Sequence, residues 1–194
     1  MPHGAEETGI PAPLAETRPA RRAPMVLVAA MRDLGLSVVI AILIVVFLFQ
    51  PVKVEGTSMM PSIGDQQRIF VDKFFFQAGI SEIHRGDVVV FWFPRDQRIS
   101  YIKRVIGVPG DTVSIRGGRV LLNGAEMEEP YVPESFRDEA EMPEIKLVDG
   151  EYFVMGDHRN SSNDSRSWGP VPRRFIYGKA VFTYWPLGDM RVVR

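Results

Sequence analysis

Polar and apolar positions change texture once along this chain, near residue 52. Before that point, Leu34 through Val52 carries no charged residue, and Val38 through Phe49 is an unbroken apolar run. A helix over residues 34–52 would be roughly 28 Å long at about 1.5 Å per residue, close to the thickness of a hydrocarbon core. A buried core helix would show a polar stripe, and here only Ser37 interrupts the apolar surface. A cleavable export segment needs a shorter apolar run followed by small residues at alternate positions. Gln50-Pro51-Val52-Lys53 supplies no such site. The pattern therefore predicts an uncleaved transmembrane anchor over residues 34–52.

After the anchor the chain turns to short apolar or alternating runs separated by Gly, Pro and Asn. Residues 52–54, 68–71, 87–93, 100–106, 112–115, 119–122, 152–155 and 178–185 read as strands. Gly117-Gly118 between two such runs predicts a tight hairpin, and Asn123-Gly124 a second turn. Helical periodicity is nearly absent here. The expected fold class is mainly β: a barrel-like or sandwich domain over residues 53–194 carried by one N-terminal transmembrane helix. Residues 126–149, rich in Glu and containing Pro130, Pro133 and Pro143, read as an exposed excursion from it.

Charge adds an orientation. Arg18, Arg21, Arg22 and Arg32 precede the anchor, while the first stretch after it carries Lys53 and Arg68. The positive-inside tendency puts residues 1–33, a flexible tail, in the cytoplasm and the β domain on the outer face of the cell membrane. A net charge of −1 gives no pull toward nucleic acid. The absence of cysteine removes disulfides, thiolate chemistry and cysteine-based zinc sites. His3, His84 and His158 have no metal-ligand spacing, so neither a metal nor another cofactor is expected.

Three polar segments could carry chemistry. Ser58 sits in Glu55-Gly56-Thr57-Ser58-Met59-Met60-Pro61, where Gly56 permits close backbone approach and Pro61 stiffens the turn. A serine hydroxyl needs a base to attack. His84 and His158 remain open candidates, but Lys103 lies in an otherwise apolar strand pattern, where an inward amine would be desolvated and its pKa lowered. The same alternation allows Lys103 to face outward beside Arg104. The third segment, Gly156 to Pro170, reads either as a polar surface loop or as a brace in which Asp164 pairs with Arg166 and a serine orients the amine. Its two Asn-x-Ser triplets, beginning at Asn160 and Asn163, are read as coincidental.

Together these segments resemble bacterial-type signal peptidase I over about residues 34–186. The shared features are an anchor, Ser-Met-x-Pro at Ser58–Pro61, Lys-Arg-Val-x-Gly-x-Pro-Gly-Asp at Lys103–Asp111, and Gly-Asp-x-Arg-x-x-Ser-x-Asp-Ser-Arg-x-Trp-Gly at Gly156–Gly169. The resemblance implies Ser58 as nucleophile, Lys103 as general base, Ser162 as the serine that hydrogen-bonds the lysine, and Asp164 with Arg166 as supporting pair. It further implies that Val54, Met59, Ile63, Tyr101 and Ile102 line the pockets for small substrate residues. The chain departs from the pattern in a shorter turn between Pro61 and Gly64, in Gly56 where some members carry a hydroxyl, and in His158 where asparagine is common.

The implied activity is endoproteolysis of exported preproteins after small residues at −1 and −3. The implied partners are those preproteins with their signal peptides, the lipid bilayer, and the secretion machinery. Two alternatives remain: another membrane-tethered Ser/Lys peptidase, and a non-enzymatic membrane-anchored β scaffold for secretion partners. A cytoplasmic self-cleaving repressor is disfavoured by the anchor and by the lack of a DNA-binding helical unit.

Overall fold

The computed structural model describes residues 23–193. Helix α1 (Ala23–Leu48) leads into strands β1 (Phe49–Lys53) and β2 (Arg68–Asp72), a single helical turn α2 (Phe74–Gln77), and the hairpin of β3 (Val88–Phe93) and β4 (Asp96–Gly107). Next come β5 (Thr112–Arg116), β6 (Arg119–Leu122), β7 (Ala125–Glu126) and β8 (Met142–Lys146). The chain closes with β9 (Glu151–Met155), α3 (Ser165–Trp168), β10 (Val171–Pro172), β11 (Ile176–Trp185) and β12 (Arg191–Val192).

Helix α1 is long and apolar enough to cross a membrane over Val26–Val46. It differs from the expected 34–52 segment at both ends. Residues 23–33 are helical rather than part of a tail, and Phe49–Lys53 pairs with β2 as an edge strand, in register from Phe49↔Asp72 to Lys53↔Arg68. Pro51 accounts for the C-terminal limit: its ring clashes with the preceding helical turn and removes an N–H, whereas an edge strand tolerates it. Residues 1–22 of the expected tail, including Arg18, Arg21 and Arg22, lie outside the described residues.

The rest is mainly β, as the sequence predicts. An eight-stranded sheet runs β1-β2-β11-β3-β4-β9-β10 with β12 on β11, and a four-stranded sheet runs β7-β6-β5-β8. Gly117 and Gly118 form the expected hairpin tip, both at positive φ (52° and 72°), between the paired Arg116 and Arg119. Gly107 lets β4 pass close over the smaller sheet. A Cβ there would lie 2.7 Å from Leu147 Cδ1 and 2.8 Å from Val113 Cγ2.

Residues 126–149, largely exposed as expected of an excursion, return to the fold through a strand of the smaller sheet. Strand β8 pairs with β5 at Thr112↔Lys146, Val113↔Ile145 and Ile115↔Met142. Val132 and Leu147 are buried, and Met127, Met142 and Ile145 pack beside or within the cluster of Ile106, Val113, Ile115 and Phe153 that joins the two sheets. The apolar positions are real but widely spaced among prolines and glutamates, so no period of two emerges from the residue pattern.

Candidate active site

The turn after β1 is fixed from both sides. Asp65 accepts the Gly56 N–H at 2.8 Å, Met60 N donates to Thr57 O at 3.0 Å, and Ile63 N donates to Met59 O at 2.8 Å. The Gly56 N–H holds the Asp65 carboxyl below its usual pKa range. Gly56 adopts φ of +100°, a conformation that disfavours any side chain. Met59 and Ile63 drive the far side of the turn into the core, leaving Ser58 half-buried between them and solvent.

Lys103 comes to this turn from β4, where it pairs with Val89 of β3. Its side chain is 2% exposed, so the outward alternative is excluded. The amine Nζ lies 2.8 Å from Ser58 Oγ and donates to Ile102 O at 3.0 Å. Burial pushes its pKa down to about 8, against the opposing pull of Asp164 and Asp157, with Arg166 adding to the depression. Among the described residues, His84 lies beside Asp87, and His158 reaches the Thr57 carbonyl with Nδ1 at 3.2 Å rather than the Ser58 hydroxyl.

The neighbouring strand position points the other way. Arg104 forms a bidentate pair with Asp157 at 2.8 and 2.7 Å, with both side chains essentially inaccessible. Its remaining donors reach Gly86 O and Ser62 Oγ. Asp164 caps α3, accepting Arg166 Nε and Nη2 at 2.8 Å each and Gly156 N at 3.0 Å. The expected brace between Asp164 and Arg166 is therefore formed. Ser165 serves the same loop by accepting Val154 N at 3.0 Å.

Ser162 departs from expectation. Its buried hydroxyl makes no hydrogen bond, and Lys103 donates instead to Ser58 and to its own strand. Ser162 instead packs over Gly156, where an added Cβ would sit 2.3 Å from Ser162 Oγ and 2.4 Å from Ser58 O. Gly156 is thus the point where the third segment closes on the serine turn, and His158 N completes the contact by donating to Ser58 O at 3.1 Å.

A cleft of about 300 Å³ opens beside the serine and lysine. Val54, Tyr101 and Ile102 line it as expected, together with Val52, Val90 and Tyr177, which were not anticipated. Met59 and Ile63 do not line it. They are 1% and 0% exposed and belong to the apolar cluster of Val54, Ile69, Val71 and Val88.

The family model described as "Signal peptidase, peptidase S26" matches residues 27–185. The chain belongs to the signal peptidase family. Within it, the chain is 40% identical over 166 residues to "Signal peptidase I" of Bacillus licheniformis, covering 80% of this chain and 87% of that protein. It is 38% identical over 188 residues to "Signal peptidase I" of Leptolyngbya laminosa, covering 93% and 89%. A crystal structure of a signal peptidase I from Enterococcus faecalis is similar at 29% identity with a TM-score of 0.45, covering 51% of this chain and 97% of that one.

For a signal peptidase the notable features outside the expected set are the partners of the third segment. Arg159 is buried and pairs with Glu129, Arg166 also pairs with Asp138, and Arg104 lies over the Tyr131 ring at 4.2 Å. Burial raises the Tyr131 pKa, and the adjacent Glu129 adds to the shift. Asp157 and Arg159 stood in the quoted pattern without a role; Glu129 and Asp138 carried no sequence signal at all.

Proposed function

We propose that this chain is a membrane-tethered serine endopeptidase that removes signal peptides from exported preproteins, with Ser58 as nucleophile and Lys103 as general base. Membership of the signal peptidase family supports the substrate class. The observation that carries the mechanism is the buried amine 2.8 Å from the Ser58 hydroxyl with its pKa lowered to about 8. An amine at that distance, once neutral, accepts the hydroxyl proton as Ser58 Oγ attacks the scissile carbonyl. The same group then protonates the leaving amine and later takes a proton from the water that hydrolyses the acyl-enzyme.

The backbone N–H of Ser58 is the natural donor to the developing oxyanion, since Gly56 brings no hydroxyl. Such a fixed donor commonly contributes about 3–4 kcal/mol. An extended substrate segment would enter the cleft with small side chains at −1 and −3 against Val54, Tyr101 and Ile102. Helix α1 would hold the enzyme in the bilayer, with the N-terminus cytoplasmic and the β domain on the outer face, where preproteins leave the secretion machinery.

The test is processing of a defined preprotein by purified enzyme. Ser58→Ala and Lys103→Ala should each abolish cleavage, and a bulky residue at −1 of the substrate should do the same for the intact enzyme. Processing that survives both substitutions would favour a scaffold. Cleavage indifferent to the −1 residue would favour a tethered Ser/Lys peptidase of another specificity.

A further inference from the structure

The segment between β7 and β8 reaches the loop carrying Ser162 and Asp164 at four places. Glu129 accepts Arg159 Nη1 at 2.8 Å and also its Nη2, and Asp138 pairs with Arg166 Nη1. The Phe136 ring stacks on His158 with centroids 3.9 Å apart and 23° between planes. The Ser135 carbonyl accepts Asn160 Nδ2 at 3.2 Å.

Three of the receiving residues, His158, Arg159 and Arg166, are in turn bonded to the serine turn or its support. Arg159 Nε donates to Gly156 O at 3.0 Å, and His158 N donates to Ser58 O at 3.1 Å. Arg166 holds Asp164, which accepts Gly156 N at 3.0 Å. Glu129 is 5% exposed and Arg159 2%. Leaving one member of such a pair unpartnered is strongly unfavourable, so their geometry is tightly set. The segment is itself seated on the smaller sheet: Gly118 N donates to Ala140 O at 2.9 Å, and a Cβ on Gly118 would lie 1.7 Å from the Asp138 carbonyl oxygen. None of the four residues lines the cleft.

We infer that residues 129–138 form a strap that positions the reacting pair, and that Glu129 and Asp138 are positioning residues acting through Arg159 and Arg166. The inference rests on the reading of Ser58 and Lys103 given above. It also gives the smaller sheet a purpose, as the footing from which the strap is held. The charged groups that bear on the Lys103 amine are Asp157, Asp164 and Arg166, with the Tyr101 ring 5.2 Å away. All three lie in the strapped loop, and Arg166 is paired with Asp138 of the strap itself. A slackened loop would admit water to the amine and return its titration toward that of an ordinary lysine.

The experiment measures kcat and KM for a defined preprotein from pH 7 to 11, using the full chain in detergent micelles. Wild type, Glu129→Gln, Asp138→Asn and the conservative Asp138→Glu are compared, with thermal melts for each. The strap predicts a kcat loss of about 10- to 100-fold at pH 7.5 for Glu129→Gln and Asp138→Asn, because a hydrated amine leaves a smaller neutral fraction of Lys103 to act as base. KM should stay within about twofold, since neither residue touches the cleft. The acid limb of the kcat profile should move to higher pH, so that much of the loss is regained above pH 10, and Asp138→Glu should restore most of the activity.

Folded variants with wild-type kcat would overturn the inference, as would a loss uniform across pH or a rise confined to KM. If Glu129→Gln does not fold, the more exposed Asp138 carries the same test. Failure of both to fold would make the segment a folding element only and end the proposal. A wild-type profile without any acid limb would instead overturn the Ser58–Lys103 reading, and the strap with it.

Discussion

Replacing Lys103 by methionine should stabilise the protein while destroying its activity. Burial moves the amine from the ordinary lysine value of 10.5 down to about 8. That displacement corresponds to about 3 kcal/mol, at about 1.4 kcal/mol for each factor of ten. The sign follows from proton binding. Between about pH 8 and 10.5 the unfolded chain holds a proton that the folded chain has released, so wild-type stability climbs with pH across that window. Below pH 8 both states are protonated, and the fold carries the full cost of a desolvated ammonium. Methionine has a similar shape and no charge, and the half-buried Ser58 hydroxyl can turn to water. Lys103→Met should therefore exceed wild type by about 3 kcal/mol at pH 7, or roughly 6–12 °C in melting temperature for a domain of this size. The advantage should shrink through pH 8–10.5 and largely vanish near pH 11. Denaturant titrations of both proteins in detergent at pH 7, 9 and 11 read this directly. A stability difference that stays constant with pH would mean that Lys103 titrates as an ordinary lysine.

Other substitutions probe the supports. Asp157→Asn leaves the buried Arg104 guanidinium without its counter-charge and should cost about 3–5 kcal/mol, measurable in the same denaturant titrations. Gly156→Ala drives a methyl group to 2.4 Å from the Ser58 carbonyl and 2.3 Å from Ser162 Oγ, so it should lower kcat far more than KM. Ser58→Ala should leave the melting temperature within a few degrees of wild type while lowering kcat by roughly 10⁴-fold or more, read by preprotein cleavage.

The strands were legible as short apolar runs between clear turn residues, as in Val88–Phe93, whose first four positions are all buried, and around the Gly117-Gly118 hairpin. The anchor was legible in kind but not in extent. A run of apolar side chains suits a helix and an edge strand equally, and Pro51 marked the boundary that the apolar count passed over. Lys103 could be suspected from the apolar strand around it, yet its inward direction depends on β3 and on the Ser58 turn, which meet it only in the fold. Met59 and Ile63 were assigned to the cleft because they flank the serine in sequence; the tight turn rotates both into the core. The strap was not legible. Glu129 and Asp138 look like solvated acids in a Pro-rich stretch until Arg159 and Arg166, from about 30 residues further along, are placed against them.

The most direct test of the dyad is the pH dependence of kcat/KM for one defined preprotein, measured for wild type and Lys103→Arg. A neutral amine acting as base predicts wild-type activity that rises with pH and levels off above about 8, and no activity for the arginine variant at any accessible pH. An arginine variant that still cleaves, with the same rise, would show that the proton from Ser58 goes elsewhere.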